Sequence, residues 1–191
     1  MIRRSWLILA LALVFTVGTL QAANDREIKH EKREIRQDKR EIARTRALHE
    51  RLVESIDMWH NAWLKSDRSQ VRDLRQRMML TLIDDVKKSN YRLNRHESES
   101  RRSQIQTRQN QSDRHGSRQE AADDAADMEQ AREVVRGKTR LLQALNSTES
   151  FSIQYRLLGD YLGLLRRELG MARLELAEDV SELREDRRAR P

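Results

Sequence analysis

Five histidines, His30, His49, His60, His96 and His115, are the side chains best suited to metal binding or proton transfer near neutral pH. Three precede a glutamate (His30-Glu31, His49-Glu50, His96-Glu97), which matches the first half of the zinc-protease helix motif. That motif needs a second imidazole four positions on, so that both share one helix face. Those positions hold Glu34, Val53 and Ser100, and the motif is absent. Met58, Met78, Met79, Met128 and Met171 could ligate a soft metal, but Met78 and Met79 sit in an aliphatic run where Met is a gap-filler. No carboxylate pair stands out as a general acid/base dyad. There is no Gly-rich phosphate loop, no G-x-S-x-G and no Cys. The expectation is a protein that is not an enzyme, with no catalytic residue, metal ligand or cofactor site assigned.

Charge layout is the more informative pattern. Residues 26–46 repeat a seven-residue unit, Arg-Glu-Ile followed by mostly charged residues, three times. With Ile28, Ile35 and Ile42 at position a, Glu27, Glu34 and Glu41 fall at g, and Glu31 and Asp38 at d. Lys32, Lys39 and Arg46 fall at e, Arg33 and Arg40 at f, Lys29 and Arg36 at b. An acidic arc therefore flanks the Ile row on one side and a basic arc on the other. Like charges four apart on a helix are mildly unfavourable, so this segregation suits a partner better than a lone solvated helix. Expansion of a low-complexity unit would give the same pattern. The candidate interaction residues are Glu27, Ile28, Lys32, Arg33, Glu34, Ile35, Lys39, Arg40, Glu41 and Ile42.

The elements that carry these residues are helices throughout. No Gly or Pro lies between Gly18 and Gly116, and the one Pro is Pro191. The heptad register continues through His49, Ile56 and Trp63 at a, and Leu52 and Trp59 at d. His49 at that seam reads as a polar register residue; Trp59 and Trp63 continue the seam. One Ile per two turns over 26–46 is too thin a stripe for a core helix, which predicts a protruding arm. Asp67 with Gln70 resembles a capping box, opening a helix with Val71, Leu74, Met78, Leu82 and Val86 on one face. Residues 98–118 hold one aliphatic, Ile105, and read as a polar flexible connector or a charged helical extension. Ser117 with Glu120 resembles a second capping box, and its Ala-rich helix leads to Val135, Leu141, Leu142 and Leu145. The last helix has apolar a and d positions almost throughout, with Asp179 the exception. Its Gly159, Gly163 and Gly170 suggest close approach of a neighbour or a bend.

The helices expected are about 25–65, 68–95, 118–146 and 150–187. The fold class is all-α: an antiparallel helical bundle or long α-hairpins with a protruding coiled-coil-like N-terminal arm. Its domains are a leader (1–22), an arm (23–46), a hairpin (47–97), the connector (98–117), a second hairpin (118–187) and a tail (188–191).

Arg3 and Arg4, the apolar run Trp6–Val17 and small residues ending at Ala22 read as a secretory signal peptide. An uncleaved inner-membrane anchor is the alternative. The chain has 191 residues, 38 Lys and Arg against 31 Asp and Glu, and no Cys, which excludes a disulfide scaffold. In type it is similar to small periplasmic stress chaperones and metal-responsive envelope proteins. Their Leu-Thr-x-x-Gln motif meets Leu80-Thr81-Leu82-Ile83-Asp84 here, without the Gln, and no residues are carried over. The leading expectation is a periplasmic or secreted binder, self-assembling or serving as adaptor or chaperone towards an envelope protein. Alternatives are a binder of anionic envelope polymers or the lipid surface, through basic faces, and a metal-responsive envelope protein. Export argues against nucleic acid as a partner.

Overall fold

A computed structural model describes the backbone of residues 3–109 and 116–188. Side chains are described for 28–98 except His30 and Glu31, for Arg101, and for 125–188 except Glu182, Asp186 and Arg187. It contains α1 (Arg3–Leu64), α2 (Arg68–Gln109), α3 (Gly116–Ser147) and α4 (Phe151–Arg188). The fold is an all-α helical bundle, with no strand among the described residues. Among them no helix is long and apolar enough to cross a membrane. α1 starts earlier than expected, at Arg3, and α2 ends later, because no Gly or Pro before Gly116 interrupts its helical hydrogen bonding. Residues 98–109 of the polar stretch continue α2, and 110–115 lie outside the described residues. So do the side chains of the 117–120 capping box.

The turn from α1 to α2 is built tightly. Asp67 N–H donates to Ala62 C=O at 3.0 Å and Ser66 N–H to Trp63 C=O at 3.0 Å. These are the two bonds of a Schellman motif, whose left-handed residue is usually glycine. Here Ser66 takes that conformation, with φ 56°. Asp67 then caps α2, its Oδ1 accepting from Gln70 N–H at 3.0 Å, as the sequence pattern implied. Between α3 and α4, Gln154 N–H bonds to Ser150 C=O, and the buried Gln154 amide donates to Thr148 C=O.

Two compact units form. The first is Thr45–Gly170. In it α1 and α4 run antiparallel, with Trp63 stacked on Phe151 and His49 Nε2 accepting from Arg166 Nε at 3.1 Å. The core joins Leu52, Ile56 and Trp59 of α1, Leu74, Met78, Leu82 and Val86 of α2, Leu145 of α3, and Leu158, Tyr161 and Leu165 of α4. Their three- and four-residue spacings put each set on one helical face. Leu162, at a seam position, is half-buried, since α4 centres its apolar face on Leu158, Tyr161 and Leu165.

Residues up to Arg44 and from Met171 onward make the second unit. Ile28 and Ile35 are only 6% and 7% exposed, so the Ile row is covered, although its stripe was expected to be too thin for burial. The C-terminal part of α4 belongs to the same compact unit as the Ile row and is the second helix of that unit. One partner helix covers only a narrow seam, so a single apolar residue per two turns is enough to be buried there.

The glycines also differ from expectation. A Cβ on Gly159, Gly163 or Gly170 would meet nothing within 4 Å, so these three face open space. Close approach occurs instead at Gly137 of α3, where a Cβ would lie 2.9 Å from Leu164 Cδ1.

Candidate functional site

Among the described residues the densest chemistry is a charged cluster inside the Thr45–Gly170 unit. Lys138 stands on the α3 stripe of Val134, Leu141 and Leu145, where the period demands an apolar residue, and is 0% exposed. Its ammonium has three N–H donors and meets three acceptors: Asp85 Oδ2 at 2.8 Å, Glu168 Oε2 at 2.6 Å and Ser89 Oγ at 3.2 Å. Asp85 and Ser89 extend the apolar face of α2, and Glu168 that of α4. Asp85 Oδ2 also accepts from Tyr161 OH at 2.7 Å. Arg92 donates to Glu168 Oε1 at 2.8 Å and to Ser89 Oγ at 3.2 Å. Lys138 Nζ sits 5.8 Å from the Tyr161 ring centroid, adding a cation–π contact.

Two cations thus face two carboxylates, with a phenol and a hydroxyl closing the remaining valences. Burial, then the Asp85 charge, then the bond to Asp85 push the Tyr161 phenol above its ordinary range, so it stays a donor. The three N–H donors of Lys138 and the Tyr161 hydroxyl all end on other members of the cluster. Such an arrangement ties α2, α3 and α4 in one register.

A second constellation gathers four of the protein's eight aromatic residues at one end of the same unit. Trp63 stacks on Phe151 with centroids 4.3 Å apart, Phe151 on Tyr155 at 6.1 Å, and His60 tilts on Tyr155 at 5.1 Å. Trp59, beneath, tilts on Phe151 at 4.3 Å and is buried. Trp63 is 47% and Tyr155 40% exposed, so the top of this ring stack faces water. The sequence register, which placed Trp63 at the seam, did not foresee that exposure; α1 ends at Leu64, before another turn could cover it.

A third feature is an open groove of about 390 Å³ between α2 and α3. Arg132, Arg136 and Arg140 run along its α3 wall, Asn90, Leu93 and Glu97 line the α2 wall, and Val135 lies between the arginines. Arg132 is held by Glu97 at 2.9 Å and Glu129 at 3.2 Å, and Arg136 by Glu129 at 3.3 Å.

No protein-family model, no curated protein and no solved structure matches this chain.

The heptad residues proposed from sequence are only partly surface. Ile28 and Ile35 are buried, and Lys32, Glu41 and Ile42 half-buried. Arg33, Glu34, Lys39 and Arg40 are exposed, and the Glu27 side chain lies outside the described residues. Glu41 accepts from Gln37 on its own helix at 3.4 Å. Among the described residues no group of three or more His, Asp or Glu is arranged to hold a metal ion.

Proposed function

We propose that the chain is an exported, non-catalytic helical protein that works by contact with another protein, as an adaptor or chaperone-like binder or by assembling with itself. The half-exposed ring stack of Trp63, Phe151 and Tyr155 carries this reading. Large rings left in water at the end of a packed unit lower their free energy when a second surface covers them, and aromatics dominate protein–protein contact energies. The Lys138 cluster supports the same reading, because the ammonium and the Tyr161 hydroxyl bond to groups of the bundle interior. Export rests on the leader-like residues 1–22. The exposed charges Arg33, Lys39 and Arg40 would add steering to encounter and contribute little to affinity.

The test is sedimentation velocity and suppression of client aggregation, comparing wild type with Trp63→Ser/Tyr155→Ser. Loss of either activity in the double variant, at unchanged helicity, supports the proposal. Equal behaviour of the two proteins in both assays rejects the ring stack as the contact surface.

A second reading, binding of an anionic polymer, is favoured by the Arg132, Arg136 and Arg140 row beside its groove. Polyphosphate binding that weakens steeply with salt and disappears in Arg136→Ala/Arg140→Ala would select it.

A further inference from the structure

The groove between α2 and α3 has two unlike ends. Arg132 bonds to Glu97, and Lys138 bonds to Asp85 and Ser89, so the two helices run antiparallel along it. That register places Arg132 and Glu97 at one end and Asn90 and Arg140 at the other, with Leu93 and Val135 between them. At the first end the cation is spent, because Arg132 is shared by Glu97 and Glu129. At the second end it is not. Arg140 makes no ion pair or hydrogen bond among the described residues, and Arg136 holds only Glu129, at 3.3 Å. Asn90 uses one amide N–H on Val86 C=O at 2.9 Å and keeps the other. We infer that this groove is a binding site for a small phosphomonoester with an apolar tail, its phosphate at Arg136, Arg140 and Asn90 and its tail over Leu93 and Val135.

Charge, surface and size select that ligand. A phosphomonoester is close to dianionic at neutral pH, which matches two guanidinium groups whose planar forks grip phosphate oxygens in pairs. The middle of the groove is apolar, with Leu93 and Val135 joined by the aliphatic stems of the arginines. From Arg140 to Arg132 helix α3 rises about 12 Å, and the groove holds about 390 Å³, the scale of one small molecule. The Glu97 carboxylate at the far end disfavours a second anionic group there, so the ligand is charged at one end only. This site shares Arg136 and Arg140 with the anionic-polymer reading but does not depend on it, since polyphosphate has no tail and carries charge along its whole length.

Isothermal titration of the full chain with octyl phosphate, kept below micelle formation, is the test. Octyl phosphate should bind at least about tenfold more tightly than ethyl phosphate, because burying two methylenes already supplies that factor. Arg136→Gln/Arg140→Gln, at two exposed positions, should keep its helicity and bind octyl phosphate at least about tenfold more weakly than wild type. Leu93→Gln should bring octyl phosphate down to the level of ethyl phosphate and leave polyphosphate binding unchanged. Should Leu93→Gln lose helicity, the comparison of alkyl chain lengths is read in its place. Trp63→Ser/Tyr155→Ser should bind octyl phosphate as wild type does, which separates this site from the ring stack. Equal affinity for octyl and ethyl phosphate overturns the site, and so does undiminished binding of octyl phosphate in the arginine variant. Phosphatidic acid vesicles that displace octyl phosphate would assign the headgroup to a membrane lipid and overturn the free ligand.

Discussion

Replacing Lys138 with Met isolates what the buried ionic cluster contributes. Met keeps the length of the side chain and removes only the ammonium, with its bonds to Asp85, Ser89 and Glu168. Glu168 keeps Arg92 at 2.8 Å and is the more exposed carboxylate, so its loss is partial. Asp85 keeps the Tyr161 hydroxyl but has no counter-charge left within its hydrogen bonds. Breaking a buried pair from one side costs ~3–5 kcal/mol, and the surviving Arg92–Glu168 bridge puts this variant near ~3 kcal/mol. That is a large part of the ~5–15 kcal/mol that holds most domains folded. Urea unfolding followed by far-ultraviolet circular dichroism should show a lower midpoint with an unchanged slope. Adding Asp85→Asn removes the stranded charge while leaving an acceptor for Tyr161, and should recover ~1–2 kcal/mol. A Lys138→Met loss below ~1 kcal/mol, with no recovery in the double variant, would refute the view that these charges hold the bundle in register.

Ser66→Gly should raise the thermal midpoint by an amount equivalent to ~1 kcal/mol, since glycine adopts the left-handed conformation without steric cost; a lower midpoint would mean that the serine hydroxyl matters there. Gly159→Ala and Gly163→Ala should each stabilise by ~0.5–1 kcal/mol, because the new methyl meets open space on a helix. Gly137→Ala should gain less than either, as its Cβ would lie 2.9 Å from Leu164 Cδ1 and that side chain must turn aside; equal gains at all three sites would contradict the packing described. Ile35→Ala should speed hydrogen exchange in 28–44 and 171–185 while leaving the core of 45–170 protected, and unchanged exchange in those segments would show that its burial contributes nothing.

The helices and the α1–α2 turn were legible because they depend on neighbours in sequence: an unbroken run without Gly or Pro, and Asp67 three residues before Gln70. The apolar faces of α2 and α4 were legible for the same reason. Lys138 was not, because a search for apolar periodicity treats a charge on the stripe as a gap. The signal lay in opposite charges at stripe positions of separate helices, Lys138 against Asp85 and Glu168. Ile28 and Ile35 were misread because burial depends on the partner, and one neighbouring helix needs a narrower stripe than a full core does. The exposed glycines of α4 show the same limit from the other side, since the G-x-x-x-G spacing is silent about which way it faces. The ring stack was half-visible: Trp59 and Trp63 were placed on the seam, but where the seam ends is set by the turn at Ser66.

The members of the ionic cluster lie far apart along the chain, Glu168 being 30 positions after Lys138, Lys138 53 after Asp85, and Tyr161 76 after Asp85. Helices of this kind coil up locally within microseconds, long before such distant partners meet. Until the helix carrying its partner arrives, each charge stays hydrated and gains nothing from collapse. A compact chain with one helix slid by a turn would bury Lys138 or Asp85 without its counterpart, at a cost that returns it to the unfolded pool. The cluster would thus act on folding as a filter: it adds little attraction to the early collapse and penalises any arrangement that buries a charge without its mate.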